Sequence, residues 1–341
     1  MSEVGASEAS QDSRWRRGLA PATFRRLAIA SAALTAAIIA TGAAVRLTGS
    51  GLGCPDWPSC YQHRLTAQLS YHPLIEFSNR MVTIVLVIVV GATLVGALAR
   101  RPRRSDLTWL AGGLVAGVLG QAVLGGIVVY TKLNPYLVMA HFLFSILVLV
   151  DAVVLVHRSS RVYDTGSGTL LVPRPVLLLG RGLVVLVAIV LAAGTATTGA
   201  GPHAGGSSGQ LVAKRLPVAL RDMAELHSSV ALLLVGVVLS LVVALHAIDV
   251  PERVRRTARV FFCVLVAQAA IGYTQYFTHL PALLVELHVI GAVSIAIGTT
   301  RFFLGFTHHP LEATPVRSST PDETQVPEGA TERGAADPVT A

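Results

Sequence analysis

Gln121-Ala122-Val123-Leu124-Gly125, with His141 twenty residues after Gln121, returns without a gap as Gln268-Ala269-Ala270-Ile271-Gly272, with His288 twenty residues after Gln268. Each copy is a pair of apolar segments joined by a short aromatic-bearing loop, and each histidine falls a few residues into the second segment. Outward from these copies the apolar residues keep coming in blocks of about twenty, the length that crosses a hydrocarbon core of about 30 Å. The blocks are continuous where barrel strands would alternate, which selects helices. Eight spans are predicted, at 27–45, 74–98, 107–129, 136–156, 176–198, 223–245, 259–277 and 282–305, in an all-α integral membrane protein. The composition agrees, with 52% of the 341 residues hydrophobic and only 13% charged.

The repeat extends beyond its strongest part. Ala40-Thr41-Gly42-Ala43, ending span 1, resembles Thr197-Thr198-Gly199-Ala200, ending span 5, and each leads into a Gly-rich loop. Four spans plus four, in the same orientation because four is even, imply two pseudo-symmetric four-helix bundles related by an axis along the membrane normal. The expected division is an N-terminal tail at 1–26, a first half at 27–157, a linker at 158–175, a second half at 176–305 and a disordered tail at 306–341, rich in Pro, Thr, Glu and Ala. A signal peptide over 14–45 is the competing reading. Its apolar run is longer than an h-region, and cleavage would remove one member of a repeated four-span unit.

Basic residues set the orientation. Arg14, Arg16, Arg17, Arg25 and Arg26 precede span 1, Arg100, Arg101, Arg103 and Arg104 lie between spans 2 and 3, Arg158, Arg161, Arg174 and Arg181 between 4 and 5, and Arg253, Arg255, Arg256 and Arg259 between 6 and 7. The alternate loops carry fewer, chiefly Arg64, Lys132, Lys214 and Arg215. Both termini are therefore expected in the cytoplasm of a multi-pass protein of the cell membrane. The net charge of +8 is accounted for by arginines facing anionic lipid headgroups, and no soluble basic domain is present to bind nucleic acid.

In this orientation spans 2, 4, 6 and 8 run inward and carry Glu76 and Asn79, His141, His227 and His288 near their outer ends, roughly 6 to 9 Å deep at 1.5 Å per residue. Ionisable groups inside a membrane are costly and usually functional. Histidines at matched depth on repeat-related helices point to metal or heme, with His227 and His288 as a pair and His141 as a third ligand. Zinc would need more ligands than two histidines, whereas heme takes one or two axial ligands from the protein. Of the other histidines, His63, His72, His203 and His279 fall in external loops or at helix ends and His157, His246, His308 and His309 at cytoplasmic ends. His203 is the best exception, because its Gly-rich segment can lie over a pocket mouth. The first-half counterpart of His227 is Asn79, a poor axial ligand, so His141 would hold a heme alone and leave one face of the iron open. Glu76, three residues before Asn79, lies on the same helical face; it reads either as an interfacial carboxylate paired with Arg80 or as an acid or base beside a bound macrocycle. Glu225 and Glu286, two before their histidines, point away from them.

Cys54 and Cys60, with five residues between them in the loop after span 1, are expected to form a disulfide on the oxidising side. Cys263 reads as a small packing residue inside span 7. Arg46, Arg80 and Arg221 could pair with heme propionates or serve as interfacial anchors. Gly113 and Gly117 would let two helices approach closely.

Taken together, the Gly51-Leu52-Gly53-Cys54-Pro55-Asp56-Trp57-Pro58-Ser59-Cys60 loop, Glu76 before an arginine, the Thr-Gly-Ala-Gly-Pro-His-Ala-Gly segment and the three histidines resemble the heme A synthase family over roughly 25–305. That resemblance implies oxidation of the ring methyl of heme O to the formyl group of heme A, by successive hydroxylations and loss of water, for assembly of a heme-A-containing terminal oxidase. It implies heme b (iron) between His227 and His288, heme O as substrate near Glu76 and His141, Glu76 as the catalytic residue, and a redox or heme-transfer role for the cysteine pair. Expected partners are membrane lipid, heme O synthase as the source of substrate, and an electron partner the sequence does not name. Many members carry a histidine where this chain has Asn79. A diheme b-type electron-transfer cytochrome and a heme transporter are the rival functions.

Overall fold

The computed structural model describes residues 18–61, 64, 66–161, 168–206 and 213–308. Arg14, Arg16, Arg17, His63, His309 and most of the two expected tails lie outside them. Among the described residues, eight helices are long and apolar enough to cross a membrane: α1 Pro21–Leu47, α2 Tyr71–Ala99, α3 Ser105–Tyr130, α4 Pro135–Ser159, α5 Arg174–Ala200, α6 Leu220–His246, α7 Glu252–Phe277 and α8 Ala282–Leu304. The protein is a multi-pass membrane protein, as the apolar blocks predict. Helix α1 starts at Pro21 instead of 27, because proline needs no N–H partner in a first turn. Helix α7 starts at Glu252 instead of 259, because its first turns are helical but charged and fall below any apolar threshold.

Helix α1 packs on α2 and α4, α2 on α3, and α3 on α4; likewise α5 packs on α6 and α8, α6 on α7, and α7 on α8. The two sets meet through α4 against α5 and α8, and through α1 against α8. Helices in lipid gain little by expelling water from one another, so close packing carries their association. Gly117 and Gly113 on α3 show how: a Cβ on Gly117 would stand 2.7 Å from a Val148 methyl of α4, and one on Gly113 would stand 3.4 Å from the Asp151 carboxylate. Phe24, Leu107, Leu114 and Leu155 centre one buried cluster, and Leu183, Leu234, Leu241 and Leu245 another. Helix α4 serves both, through Val148 in the first and Ile146 and Leu149 in the second.

At the end opposite the cysteines, β1 (Thr169–Leu170) pairs antiparallel with β2 (Thr307–His308). Phe306, expected in the tail, is instead buried against Phe302 and fills the space left by Gly180.

The repeat is one of backbone conformation. Thr131 N–H donates to Ile127 O, Lys132 to Val129 O and Leu133 to Val128 O; Thr278, His279 and Leu280 do the same toward Thr274, Tyr276 and Gln275. Both turns set two consecutive non-glycine residues in the left-handed region, Lys132 and Leu133 at φ 53° and 60°, His279 and Leu280 at 64° and 60°. That conformation costs an L-residue about 1–2 kcal/mol, so each turn must be held from outside. The end of the bundle that carries them also gathers the loops after α1 and α5, joined by Gly51 N–H to Gly205 O at 2.9 Å.

Candidate functional site

The structure brings His227 on α6 and His288 on α8 face to edge, with ring centroids 6.1 Å apart and planes at 77°. An imidazole nitrogen lies about 2 Å from a transition metal, with the ring centroid about 1 Å behind it, so two rings on opposite sides of one metal have centroids about 6 Å apart. His227 Nδ1 is 3.1 Å from Val190 O of α5. A carbonyl only accepts, so Nδ1 carries the proton and Nε2 is left with its lone pair, the tautomer of a metal ligand oriented through its other nitrogen. Each ring stands where a glycine makes room: a Cβ on Gly194 of α5 would lie 3.0 Å from His227 Cε1, and one on Gly272 of α7 would lie 3.0 Å from His288 Cε1.

The Gln-x-x-x-Gly repeat now has a physical reason. Its two ends lie on one helical face. The glutamine grips the backbone of the histidine across the hairpin while the glycine clears its ring. Gln268 Nε2 donates to His288 O at 2.7 Å and Gln121 Nε2 to His141 O at 3.0 Å. Gly125 faces His141 Cε1 as Gly272 faces His288. The first copy adds Ser145, whose hydroxyl accepts from Gln121 and donates to His141 O; the equivalent position in the second copy is Ala292.

Asn79, which the sequence repeat makes the first-half counterpart of His227, has its Oδ1 accepting from Thr41 of α1 at 2.7 Å and makes no hydrogen bond to His141. Asn79 lines a cleft of about 320 Å³ between α1 and α2 with Thr41, Val45, Ile75, Ser78 and Val82. Glu76 is not part of that lining. Its carboxylate is buried and turned toward the cysteine loop, with Oε2 accepting from Cys54 N–H at 2.8 Å and Oε1 from Arg80 at 2.7 Å.

Arg80 completes a clamp on the loop. Its Nη1 donates to Asp56 O and Ser59 O, and its Nη2 to Cys54 O at 3.0 Å. Cys54 and Cys60 are joined by a disulfide and are almost fully buried. Trp57 lays its indole on Gly126 of α3, and Tyr130 donates to Trp57 O. The loop is thereby fixed across the ends of α2 and α3.

Of the other candidates, Arg46 donates from Nε to His203 O at 2.7 Å and from Nη2 to Thr198 O at 2.9 Å. Arg46 and Arg80 are thus engaged largely by backbone carbonyls. Arg221 is exposed and paired with Glu225 at 2.8 Å. Cys263 does not pack inside the bundle; it is exposed on α7. Asp151 was not singled out from the sequence. It lies deep in α4 with Oδ2 buried and unpartnered, and an isolated carboxylate in an otherwise apolar span is the signal that marks it. Among the described residues, no three His, Cys, Asp or Glu side chains gather as a metal-holding group.

The sequence profile of a family described as cytochrome oxidase assembly protein matches residues 25–299. Two relatives named heme A synthase, from Geobacillus kaustophilus (strain HTA426) and Geobacillus thermodenitrificans, are each 36% identical over 110 residues, 31% of this chain and 33% of theirs. A third of that name, from Lysinibacillus sphaericus (strain C3-41), is 32% identical over 129 residues, 36% of this chain and 41% of its own. The matched stretches thus span between a third and two fifths of the relatives' length.

Proposed function

The chain belongs to the cytochrome oxidase assembly protein family, and from that membership we propose that it is a heme A synthase, oxidising the ring methyl of heme O to the formyl group of heme A by successive hydroxylations and loss of water. The observation that carries this reading is the His227–His288 pair, with ring centroids 6.1 Å apart and each ring cradled by a glycine, Gly194 or Gly272. The halves are read as two four-helix bundles with different tasks. In the second, 176–305, His227 and His288 would hold heme b, which would supply one-electron transfer there.

The first half, 27–157, receives heme O beside His141. Asn79, already bonded to Thr41, leaves the opposite face without a histidine, which suits a macrocycle that must react and leave. Gln121 and Ser145 hold the His141 backbone in place. Glu76 and Arg80 fix the disulfide loop at the end of α2. A diheme electron-transfer cytochrome would want closed coordination in both halves, and Asn79 weighs against it. The Arg100, Arg104 and Arg158 end is read as cytoplasmic, since basic residues stay inside and the disulfide at the other end needs an oxidising compartment. Heme O is then taken from the membrane, with heme O synthase as its source.

The test is the ferrous optical spectrum of the purified protein, quantified per chain. One low-spin heme is expected in the wild type, with a second low-spin component appearing in Asn79→His when heme O is supplied. Two low-spin hemes in the wild type would favour the cytochrome.

A further inference from the structure

The Gly199–Gly206 segment, which carries His203, is not used by the chemistry above, yet it is tied down more thoroughly than a connecting loop requires. Leu216 N–H donates to Gly199 O, and Gly51 N–H to Gly205 O. Arg46 reaches in from α1 to the carbonyls of Thr198 and His203. Gly205 sits at φ 99°, where a side chain would be strained and its Cβ would crowd Arg46 and Leu133, each at 3.3 Å. One polar side chain leaves this braced strap toward the α7–α8 turn: His203 Nε2 is 2.9 Å from Leu280 O. The carbonyl accepts, so Nε2 is the protonated nitrogen.

Leu280 is the second left-handed residue of the α7–α8 turn, directly before the Pro281 that caps α8. His288 follows about two helical turns later. The equivalent turn of the first half is braced differently, by packing of the Leu133 side chain near Gly51 and Gly205. The strap therefore touches both turns, and it hydrogen-bonds the one whose helix delivers a histidine to a closed pair.

Resting on the assignment of a heme to His227 and His288, we propose that His203 is a positioning residue: its imidazole N–H, held through Arg46, fixes the α7–α8 turn and so the placement of His288 opposite His227. It touches no heme itself. It acts on the helix that carries the ligand.

The experiment compares wild type with His203→Ala, His203→Asn and His203→Gln, all full length in detergent, by heme transfer to apomyoglobin and by the low-spin electron paramagnetic resonance signal. Glutamine places an N–H donor near the position of Nε2, and asparagine has the same chemistry with too short a reach. Alanine and asparagine are expected to speed heme loss about three- to tenfold, the worth of one neutral hydrogen bond, and to broaden the low-spin signal, while glutamine restores both. Wild-type behaviour in all three variants overturns the proposal. So does equal impairment in all three, which would make the ring's packing the cause. A wild type without a bis-histidine signal removes the heme assignment itself, an outcome separate from either. Protection of Cys54 and Cys60 from alkylation reports whether each variant has folded.

Discussion

His227→Ala or His288→Ala abolishes the low-spin bis-histidine spectrum and lowers heme retention by more than about a hundredfold. The scale comes from metal sites in which loss of an outer partner alone costs about 10- to 100-fold in affinity; loss of the ligand costs more. The two substitutions are expected to be equivalent, because the rings stand in one pair with centroids 6.1 Å apart. Gly272→Val produces a graded version of the same defect. Its Cβ would press on His288 Cε1 at 3.0 Å, and overpacking of this kind costs about 1–3 kcal/mol. A wild-type spectrum in either alanine variant, with the Cys54–Cys60 disulfide intact, would remove the heme from this half.

The second large effect is at Glu76. Glu76→Gln is expected to lower product formation about a hundredfold or more, the lower range for loss of an acid–base group. Geometry adds a second route to the same loss. Both carboxylate oxygens accept, from Cys54 N–H and Arg80, and an amide presents only one acceptor, so its NH₂ would face a donor. Charge-assisted hydrogen bonds contribute about 1.5–3 kcal/mol each, enough to release the loop. The routes separate at Arg80, whose guanidinium also holds the Asp56 and Ser59 carbonyls. If Glu76 acts by anchoring, Arg80→Lys loses activity in parallel and Cys54 and Cys60 become alkylated at lower reductant. If Glu76 moves a proton at the substrate, Glu76→Gln is inactive with the disulfide still protected. Full product formation in Glu76→Gln contradicts both.

The eight spans were legible because continuous apolar blocks of membrane length have no other use, and the histidines because imidazoles inside a membrane stand out. The glutamine and glycine of the repeat were visible as a motif but not as a grip and a clearance, which depend on the facing helix. The left-handed turns were hidden, since Lys132, Leu133, His279 and Leu280 hold positions where glycine would have signalled the conformation. The pairing of Glu76 with Arg80 was one of the two readings the sequence offers for that carboxylate, and the structure forms it at 2.7 Å. The capture of the cysteine loop by the same arginine was not among them, because it joins α2 to backbone more than twenty residues earlier. Asp151 went unmarked although its chemical oddity was in plain view.

The most direct test of the oxidation is to express the chain in a host that makes heme O but lacks a heme A synthase of its own, then extract and chromatograph the hemes beside a Glu76→Ala control. Heme A, or its hydroxymethyl precursor, is expected from the wild type alone. Heme B without any oxidised heme, in cells that contain heme O, would contradict the account and leave an electron-transfer cytochrome in its place.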